Sequence, residues 1–139
     1  SYLKKIKDLA AKNLQEGELF LAENALKDDV IVLPSGLQYE IIVAGDGKIP
    51  TAKDKVLCHY AGYLLNAEVF DSSYKRKKPE SFRVNELIKG WQIALQLMPV
   101  GSKWKLFIPP TLAYGFEALT PTSGGNCTLI FEMELISIL

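Results

Sequence analysis

Few side chains in this chain have the type and spacing that bond-breaking chemistry needs. The single histidine, His59, has tyrosine neighbours, but no serine stands in a G-x-S-x-G elbow. Asp71 has no acidic neighbour before Glu80, so a paired-carboxylate hydrolase lacks its second group. The sequence also has no G-x-x-x-x-G-K-S/T loop to hold a nucleotide phosphate. The residues therefore exclude the usual hydrolytic and nucleotide-hydrolysing sites.

The two cysteines and the histidine do not follow a common metal-binding spacing. A site built from Cys58, His59 and Cys127 is formally open, but neighbouring residues of a strand point to opposite faces of the sheet. Cys58 and His59 would then diverge, so we expect no metal site. A disulfide would need a close approach that the spacing does not establish. We expect two small buried thiols, because free cysteine is among the most buried residue types.

Aromatic side chains crowd the second half of the chain and offer a different kind of site. The set comprises Tyr60, Phe70, Tyr74, Phe82, Trp91, Trp104, Tyr114 and Phe131. Core packing accounts for part of this set, and for Trp104 we expect it. Aromatic rings at strand ends beside one carboxylate, Asp71, predict an apolar pocket with a few polar groups.

Composition narrows the protein class. The chain has 139 residues, 48% hydrophobic and 23% charged, as in ordinary globular proteins. Lysine plus arginine number 16 and aspartate plus glutamate 16, so no basic surplus indicates a nucleic-acid partner. No apolar run approaches the ~20 residues of a membrane span. Ser1, rather than Met, opens into a charged helical pattern, which predicts a processed or trimmed product without a signal peptide.

Residues 2 to about 28 follow the period of one long helix. Its apolar stripe consists of Leu3, Ile6, Ala10, Leu14, Gly17, Leu21 and Ala25. At ~1.5 Å per residue this helix would be about 40 Å long. A helix with so narrow a stripe packs either on its own domain or on a partner, and the sequence favours neither. The segment 33–36 (LPSG) ends it and divides the chain into an N-terminal helix, 1–32, and a second domain, 33–139.

After this boundary the apolar period changes to two. Alternation over 37–43, 56–64, 103–108 and 127–135 predicts strands of an antiparallel sheet. Between them one short helix is predicted from the period of Leu87, Ile88, Trp91, Leu95 and Met98. The apolar face of the sheet needs a cover, and this helix is the only one available. We predict an α+β fold, with an antiparallel sheet wrapped around one short helix and preceded by a long N-terminal helix.

Six segments, in order and in register, resemble the motifs of FKBP-type peptidyl-prolyl cis-trans isomerases. They are 58–64 (CHYAGYL), 69–73 (VFDSS), 87–91 (LIKGW), 94–101 (ALQLMPVG), 108–115 (IPPTLAYG) and 126–135 (NCTLIFEMEL). The resemblance implies an enzyme that rotates X–Pro peptide bonds in folding polypeptides. This reaction breaks no bond and needs no cofactor. A twisted amide is less dipolar than a planar one, so an apolar, water-poor pocket would stabilise it.

The resemblance also assigns the residues of that pocket. The implied substrate-binding residues are Tyr60, Phe70, Asp71, Arg76, Phe82, Leu87, Ile88, Trp91, Tyr114 and Phe131. Among them Asp71, Tyr114, Trp91 and Phe70 are implied as catalytic. Trp91 would form the floor, with Tyr60, Phe70 and Phe131 as walls. The Ile88 N–H and the Tyr114 hydroxyl would hold substrate carbonyls. Asp71, oriented by Tyr60 and Arg76, would face the twisting carbonyl.

One segment departs from the family pattern. The loop 116–126 reads FEALTPTSGGN where the family usually ends in I-P-P-N, with Ser123, Gly124 and Gly125 in place of the apolar residue and both prolines. The lost apolar contact is worth about 1–2 kcal/mol. Phe116 and Leu119 are candidates to replace it. We expect an isomerase with altered substrate and macrolide preference. The alternative is a chaperone-like polypeptide-binding module with low turnover.

The N-terminal helix and residues 33–39 (LPSGLQY) resemble the bacterial subgroup related to the macrophage infectivity potentiator. In that subgroup a long helix links a dimerisation segment to the isomerase domain. The resemblance implies proline-containing polypeptides as partners, a macrolide inhibitor and a homodimer through the N-terminal region. It places the chain in the periplasm or at the outer-membrane surface in preference to the cytoplasm.

Overall fold

The computed structural model describes all 139 residues and shows an antiparallel sheet with two α-helices. The elements are α1 (Tyr2–Asn24), β1 (Val30–Val32), β2 (Gln38–Val43), β3 (Lys55–Tyr63), β4 (Val69–Ser72), β5 (Glu80–Arg83), α2 (Lys89–Leu95), β6 (Lys103–Ile108) and β7 (Leu129–Ile138). Two short 3-10 helices, Val84–Glu86 and Pro110–Leu112, precede α2 and follow β6. The strand order is β1-β2-β6-β7-β3-β4, with β5 also paired to β3. The predicted α+β fold is confirmed.

One apolar core lies between α2 and the inner face of the sheet. Alternate residues of β7 are buried in it, because successive side chains of a strand point to opposite faces. Trp91 and Leu95 of α2 belong to the same cluster of 18 buried side chains. Trp104 of β6 is also buried there and stacks on Tyr39 at a centroid distance of 4.2 Å. The expectation that Trp104 is a core residue is therefore confirmed.

The helix α1 packs on the outer face of the sheet. Gly17 lies so close to Thr128 that a Cβ at this glycine would stand 2.1 Å from the Thr128 Oγ1. The rings of Phe20 and Phe107 lie 5.9 Å apart, and this contact covers the one large apolar side chain that β6 directs outward. Of the two alternatives open for this helix, packing on its own domain holds along this stretch.

Buried polar contacts fix the C-terminal end of α1. The Asn24 Nδ2 donates to the Gln38 Oε1 at 2.8 Å, and the Gln38 Nε2 donates to the Leu21 carbonyl at 2.9 Å. The helix ends at Asn24, earlier than predicted, because the chain turns back there to pair β1 with β2. The strand β1 lies before residue 33 yet shares the sheet, and the division at this residue stays a prediction.

The N-terminal end of α1 is different, since Tyr2, Leu3 and Ile6 are exposed. As predicted, α2 covers the apolar inner face of the sheet. Each face has a helix: α2 on the inner face and α1 on part of the outer face. The sequence left open whether α1 packs on this domain, because the residues that receive it, such as Phe107 and Gln38, stand at polar-face positions of alternating strands. Neither helix combines the length and apolar character needed to cross a bilayer.

Two smaller expectations also fail. Alternation predicts Ile41 and Val43 as inward residues of β2, but they are 44% and 49% exposed. The pairing of β2 with β6 shifts register between these two residues, which breaks the alternation at Val43; Ile41 is still in register with Trp104, and the pairing gives no reason for its exposure. Cys58 is buried as predicted, whereas Cys127 precedes β7 in the loop region and is only half-buried. Both thiols are free.

On the edge of β3 away from β7, the neighbouring strand is divided into two, β4 and β5. β5 pairs with residues 55–58 and β4 with residues 61–63. In the gap, the Tyr60 N–H donates to the Ser73 Oγ at 2.7 Å, and the Ser73 N–H donates to the Tyr60 carbonyl at 2.9 Å. Residues 73–79 leave the sheet here as an excursion that carries Arg76.

Candidate active site

A cavity of about 100 Å³ opens between α2 and the inner face of the sheet. Its lining consists of Tyr60, Phe70, Asp71, Phe82, Leu87, Ile88, Trp91, Tyr114 and Phe131. These are nine of the ten residues that the family resemblance assigns to the pocket. The tenth, Arg76, binds the carboxylate of Asp71 from the side. The lining is apolar apart from Asp71 and two tyrosine hydroxyls.

Trp91 is the centre of the aromatic cluster. Its ring meets those of Tyr60 and Phe131 edge-to-face, with both centroids at 5.1 Å, and that of Phe82 at 5.4 Å. Edge-to-face pairs at these distances are each worth about 0.5–1.5 kcal/mol beyond burial. The cluster therefore holds the indole in one orientation at the bottom of the cavity, where only 4% of Trp91 is exposed.

The strands bring the walls together because of a glycine. A Cβ at Gly62 on β3 would lie 2.6 Å from the Phe70 Cζ and 2.7 Å from the Phe131 Cε1. The bare backbone at Gly62 lets both rings approach β3, where they meet each other edge-to-face at 5.5 Å. Any side chain at this position would push one wall into the cavity.

The polar edge of the cavity is a closed set of three side chains. The Tyr60 hydroxyl donates to the Asp71 Oδ2 at 2.8 Å, and the Arg76 Nη1 binds the Asp71 Oδ1 at 2.6 Å. The Arg76 Nη2 completes the set with a hydrogen bond to the Tyr60 hydroxyl oxygen at 2.8 Å. Glu80, four residues after Arg76, accepts from its Nε at 3.3 Å. Glu80 was not singled out from the sequence, although the i,i+4 spacing of opposite charges is a signal for this contact.

These contacts hold the three side chains in fixed charge states. Partial burial raises the pKa of Asp71, but hydrogen bonds from Arg76 and Tyr60 outweigh it and keep this pKa below its usual value of 3.8. Burial and the hydrogen bond to Asp71 raise the pKa of Tyr60 to about 12. The pKa of Arg76 is raised by its hydrogen bonds to Asp71 and Tyr60. Near neutral pH the cavity edge therefore carries a carboxylate, a neutral phenol and a guanidinium.

Besides the buried Trp91 Nε1–H, two hydrogen-bond donors at the cavity have no partner within the protein. The Ile88 N–H, just before α2, donates to no protein acceptor, and neither does the Tyr114 hydroxyl. Burial and the nearby charge of Asp71 raise the pKa of Tyr114, so its hydroxyl keeps its proton. Both donors are free for a ligand carbonyl. No three His, Cys, Asp or Glu side chains are grouped as metal ligands would be.

The divergent loop 116–126 does not supply the cavity with an apolar side chain. Phe116 is 84% exposed, and Leu119 packs against the edge of the core instead of lining the cavity. Ser123 organises the loop internally, because its Oγ accepts from the N–H groups of Leu119 and Thr120, both at 3.0 Å. The apolar contact that the family places here is thus not replaced.

Comparison with known proteins places the chain in a family. A family model for FKBP-type peptidyl-prolyl cis-trans isomerase matches residues 47–136, and a model for the domain amino-terminal to it matches residues 2–41. The "Outer membrane protein MIP" of Legionella longbeachae is 48% identical over 93% of this chain and 55% of its own length. The "FKBP-type 22 kDa peptidyl-prolyl cis-trans isomerase" of Escherichia coli is 49% identical over 89% of this chain and 60% of its own length.

Solved structures agree with the sequence relatives. The crystal structure of FkpA from Escherichia coli superposes with a TM-score of 0.92 at 38% identity, over 98% of this chain and 63% of that chain. The chain thus spans little more than half the length of the curated relatives it matches. On the family match, the identity and the shared fold, this chain belongs to the FKBP-type peptidyl-prolyl cis-trans isomerase family.

Proposed function

We propose that this chain catalyses cis–trans rotation about X–Pro bonds in polypeptides. The observation that carries the proposal is the apolar cavity floored by the buried indole of Trp91, with the carboxylate of Asp71 as its one charged lining group. Relatives named peptidyl-prolyl cis-trans isomerases support it, among them "Peptidyl-prolyl cis-trans isomerase Mip" of Coxiella burnetii at 44% identity. The substrates would be proline-containing polypeptide segments.

The cavity suits this reaction for a physical reason. Rotation must break the resonance of the amide, whose partial double bond sets a barrier of about 18–20 kcal/mol. The twisted amide has a less polarised carbonyl than the planar one, so it loses less by leaving water for an apolar wall. The proline ring would lie on Trp91, between Phe70 and Phe131. No bond is broken, so no acid–base pair is required.

The polar groups then hold and orient the substrate. The Ile88 N–H and the Tyr114 hydroxyl, free within the protein, would donate to the carbonyls on either side of the proline. Asp71, held ionised by Arg76 and Tyr60, would face the carbonyl that turns. A fixed carboxylate favours the orientation in which this carbonyl oxygen is directed away from it. Asp71, Tyr114, Trp91 and Phe70 are thus the proposed catalytic residues.

The comparisons favour the enzyme over a binding module of low turnover, because the relatives are named as isomerases. A macrolide inhibitor would occupy the same cavity, since it would bury its apolar surface on the same rings.

We also propose a location at the bacterial envelope, in the periplasm or on the outer membrane. The name of the Legionella longbeachae relative, "Outer membrane protein MIP", supports this location.

We further propose that the N-terminal region takes part in a homodimer. Its support is the match of residues 2–41 to the domain amino-terminal to these isomerases, together with the exposed side chains of Tyr2, Leu3 and Ile6. The proposed division into 1–32 and 33–139 separates this region from the catalytic part. Sedimentation equilibrium of the chain, and of a Leu3→Glu variant, tests the dimer, which the charged residue should dissociate.

A matched pair of tryptophan variants tests the proposed activity. Trp91 and Trp104 are both core residues, 4% and 3% exposed, but only Trp91 lines the cavity. In a protease-coupled assay on an X-Pro-Phe peptide, we expect Trp91→Phe to lower kcat/KM by about tenfold, a loss of about 1.4 kcal/mol. Trp104→Phe makes the same chemical change away from the cavity and should leave kcat/KM within about twofold.

The same assay contains the refuting result. Background rates for the unaltered chain would reject the isomerase proposal outright. Equal losses for the two variants would show that the activity follows core stability instead of the indole in the cavity. A macrolide that failed to inhibit an active chain would reject only the proposed inhibitor binding.

A further inference from the structure

The helix α1 contacts the divergent loop 116–126 through the partly buried side-chain amide of Asn13. The Asn13 Nδ2 donates to the Ser123 carbonyl at 2.7 Å and to the Gly125 carbonyl at 2.9 Å. Both acceptors are backbone atoms more than a hundred residues away in sequence. One side chain thus fixes two carbonyls, one on each side of Gly124, which sets the path of the loop at this point.

The loop is shaped to receive the helix. Gly124 has φ of +71°, and a Cβ there would lie 2.6 Å from the Leu9 side chain. A Cβ at Gly125 would lie 2.2 Å from the Phe116 carbonyl. The Asn126 Nδ2 donates back to the Ala10 carbonyl at 3.3 Å. Gly124 is therefore the residue that lets α1 and the loop meet, and Gly125 lets the loop close on its own first residue, Phe116.

The contact continues to the cavity along the backbone. The Asn126 N–H donates to the Gly115 carbonyl at 2.7 Å, and the Glu117 N–H donates to the Tyr114 carbonyl at 3.1 Å. Tyr114 lines the cavity and stands at the start of the loop. Asn13 thus fixes the end of the loop, and the hydrogen bond from Asn126 to Gly115 connects this end to the residue that follows Tyr114.

Beside this contact α1 is separated from the domain. A cleft of about 390 Å³ lies between the helix residues Lys12 and Glu16 and the turn at Asn66 and Glu68. Lys12 and Glu16 form an exposed pair at 3.8 Å along the helix. Over this stretch the hold of the helix on the domain is concentrated on the loop.

We infer that Asn13 is a positioning residue of the isomerase, which fixes the 116–126 loop and through it the Tyr114 side of the cavity. The inference rests on the proposed function. In this chain the N-terminal helix, in place of the rigid prolines of the family, orders the loop. Its effect falls on binding of the residues that flank the substrate proline, because the loop follows Tyr114 in the chain and none of its residues lines the cavity with Trp91.

Three single-residue variants test the inference. Asn13→Ala removes both hydrogen bonds to the loop carbonyls and the longer contact of the Asn13 Nδ2 to the Cys127 Sγ at 3.8 Å, yet alanine favours a helix more than asparagine does, so α1 itself is not weakened. Asn13→Asp keeps the shape but sets carboxylate oxygens against two carbonyls. Lys12→Ala is the matched control, because it changes the adjacent helix residue and breaks only the exposed pair with Glu16.

Two readouts separate positioning from stability. In ¹H–¹⁵N spectra we expect Asn13→Ala to shift the amide signals of Gly115, Gly124 and Gly125 and to leave that of Gly90 in α2 unmoved. In isomerase assays it should raise KM about fivefold with kcat within about twofold, which corresponds to loss of about one net hydrogen bond. Asn13→Asp should raise KM at least as much, and Lys12→Ala should match the unaltered chain.

The outcomes are distinguishable. An inactive unaltered chain rejects the proposed function and this inference with it. An active chain in which Asn13→Ala leaves KM unchanged, with or without shifted glycine signals, overturns the inference alone. A rise in KM for Lys12→Ala equal to that for Asn13→Ala, or loss of the Gly90 signal, would also overturn it, because the effect would then be general to the fold.

Discussion

The contact between Gly17 and Thr128 gives a prediction in which one substitution changes stability in opposite directions on two backgrounds. Alanine is about 1 kcal/mol better than glycine inside a helix, so Gly17→Ala would stabilise an uncovered helix. Here the new Cβ would stand 2.1 Å from the Thr128 Oγ1 and 3.2 Å from the Thr128 Cβ. Overpacking of a buried site costs about 1–3 kcal/mol. We expect Gly17→Ala to lower the free energy of unfolding by about 1 kcal/mol.

The sign reverses when the obstacle is removed. Thr128 is 2% exposed and its hydroxyl has no hydrogen-bond partner, so Thr128→Ala removes Oγ1 without breaking a bond. Only the 3.2 Å contact then remains, which a shift of a few tenths of an ångström relieves. On this background Gly17→Ala should raise the free energy of unfolding by about 0.5–1 kcal/mol, close to the intrinsic helix preference.

Urea unfolding of the four chains, followed by circular dichroism, measures the coupling directly. Ala11→Gly, at an exposed position of the same helix, is the control for helix preference alone and should cost about 1 kcal/mol. Stabilisation by Gly17→Ala on both backgrounds would refute the docking of α1 on the sheet. Destabilisation of equal size on both would show that Thr128 is not the obstacle.

Two further predictions concern the cavity. Because the pKa of Asp71 lies below 3.8 in the folded chain, its ion pair with Arg76 persists as pH falls and is lost only when the carboxyl protonates. We expect kcat/KM to be constant from about pH 8 to about pH 5 and to decrease once the pH is below 3.8. For Asp71→Asn, kcat/KM should be about tenfold lower and should show no such decrease at low pH. A fall centred near pH 6 would contradict this assignment. Gly62→Ala would place a Cβ 2.6 Å from the Phe70 Cζ, so it should lower kcat/KM about tenfold by narrowing the cavity. Unchanged kcat/KM, or unchanged macrolide affinity in a calorimetric titration, would mean that Phe70 moves aside.

The sequence predicts the fold and the placement of the cavity residues because both follow from local sequence patterns. Alternation over β6 and β7 sets which residues face inward, and the short helix brings Trp91 over them. Once β3, β4 and α2 are adjacent, the side chains of Tyr60 and Asp71 are held next to each other. The family motifs then identify which inward aromatic residues line a cavity and which only fill the core.

The docking of α1 was not predictable in the same way. Its contacts join Asn13 with Ser123 and Asn24 with Gln38, and no local period marks such pairs. Gly17 stands on the predicted apolar stripe, but the sequence does not show that the helix approaches another element closely at this residue. The structure shows instead that this missing side chain permits close packing. Likewise, the glycines of the divergent loop suggest freedom, yet here Gly124 fits against Leu9.

The division of the strand beside β3 into β4 and β5 has a consequence for how this cavity can vary between relatives. Because β5 and β4 each pair with their own part of β3, the residues between them take no part in strand pairing and are held by contacts of Ser73 with Tyr60 and by the stacking of Tyr74 on His59 at 4.5 Å. Insertions or deletions within residues 75–79 would change the length of the arm that presents Arg76 without sliding any strand. The fold thus places Arg76, the basic contact of Asp71, on a segment outside the strands, where the length and the charge can change while the strand pairing stays the same.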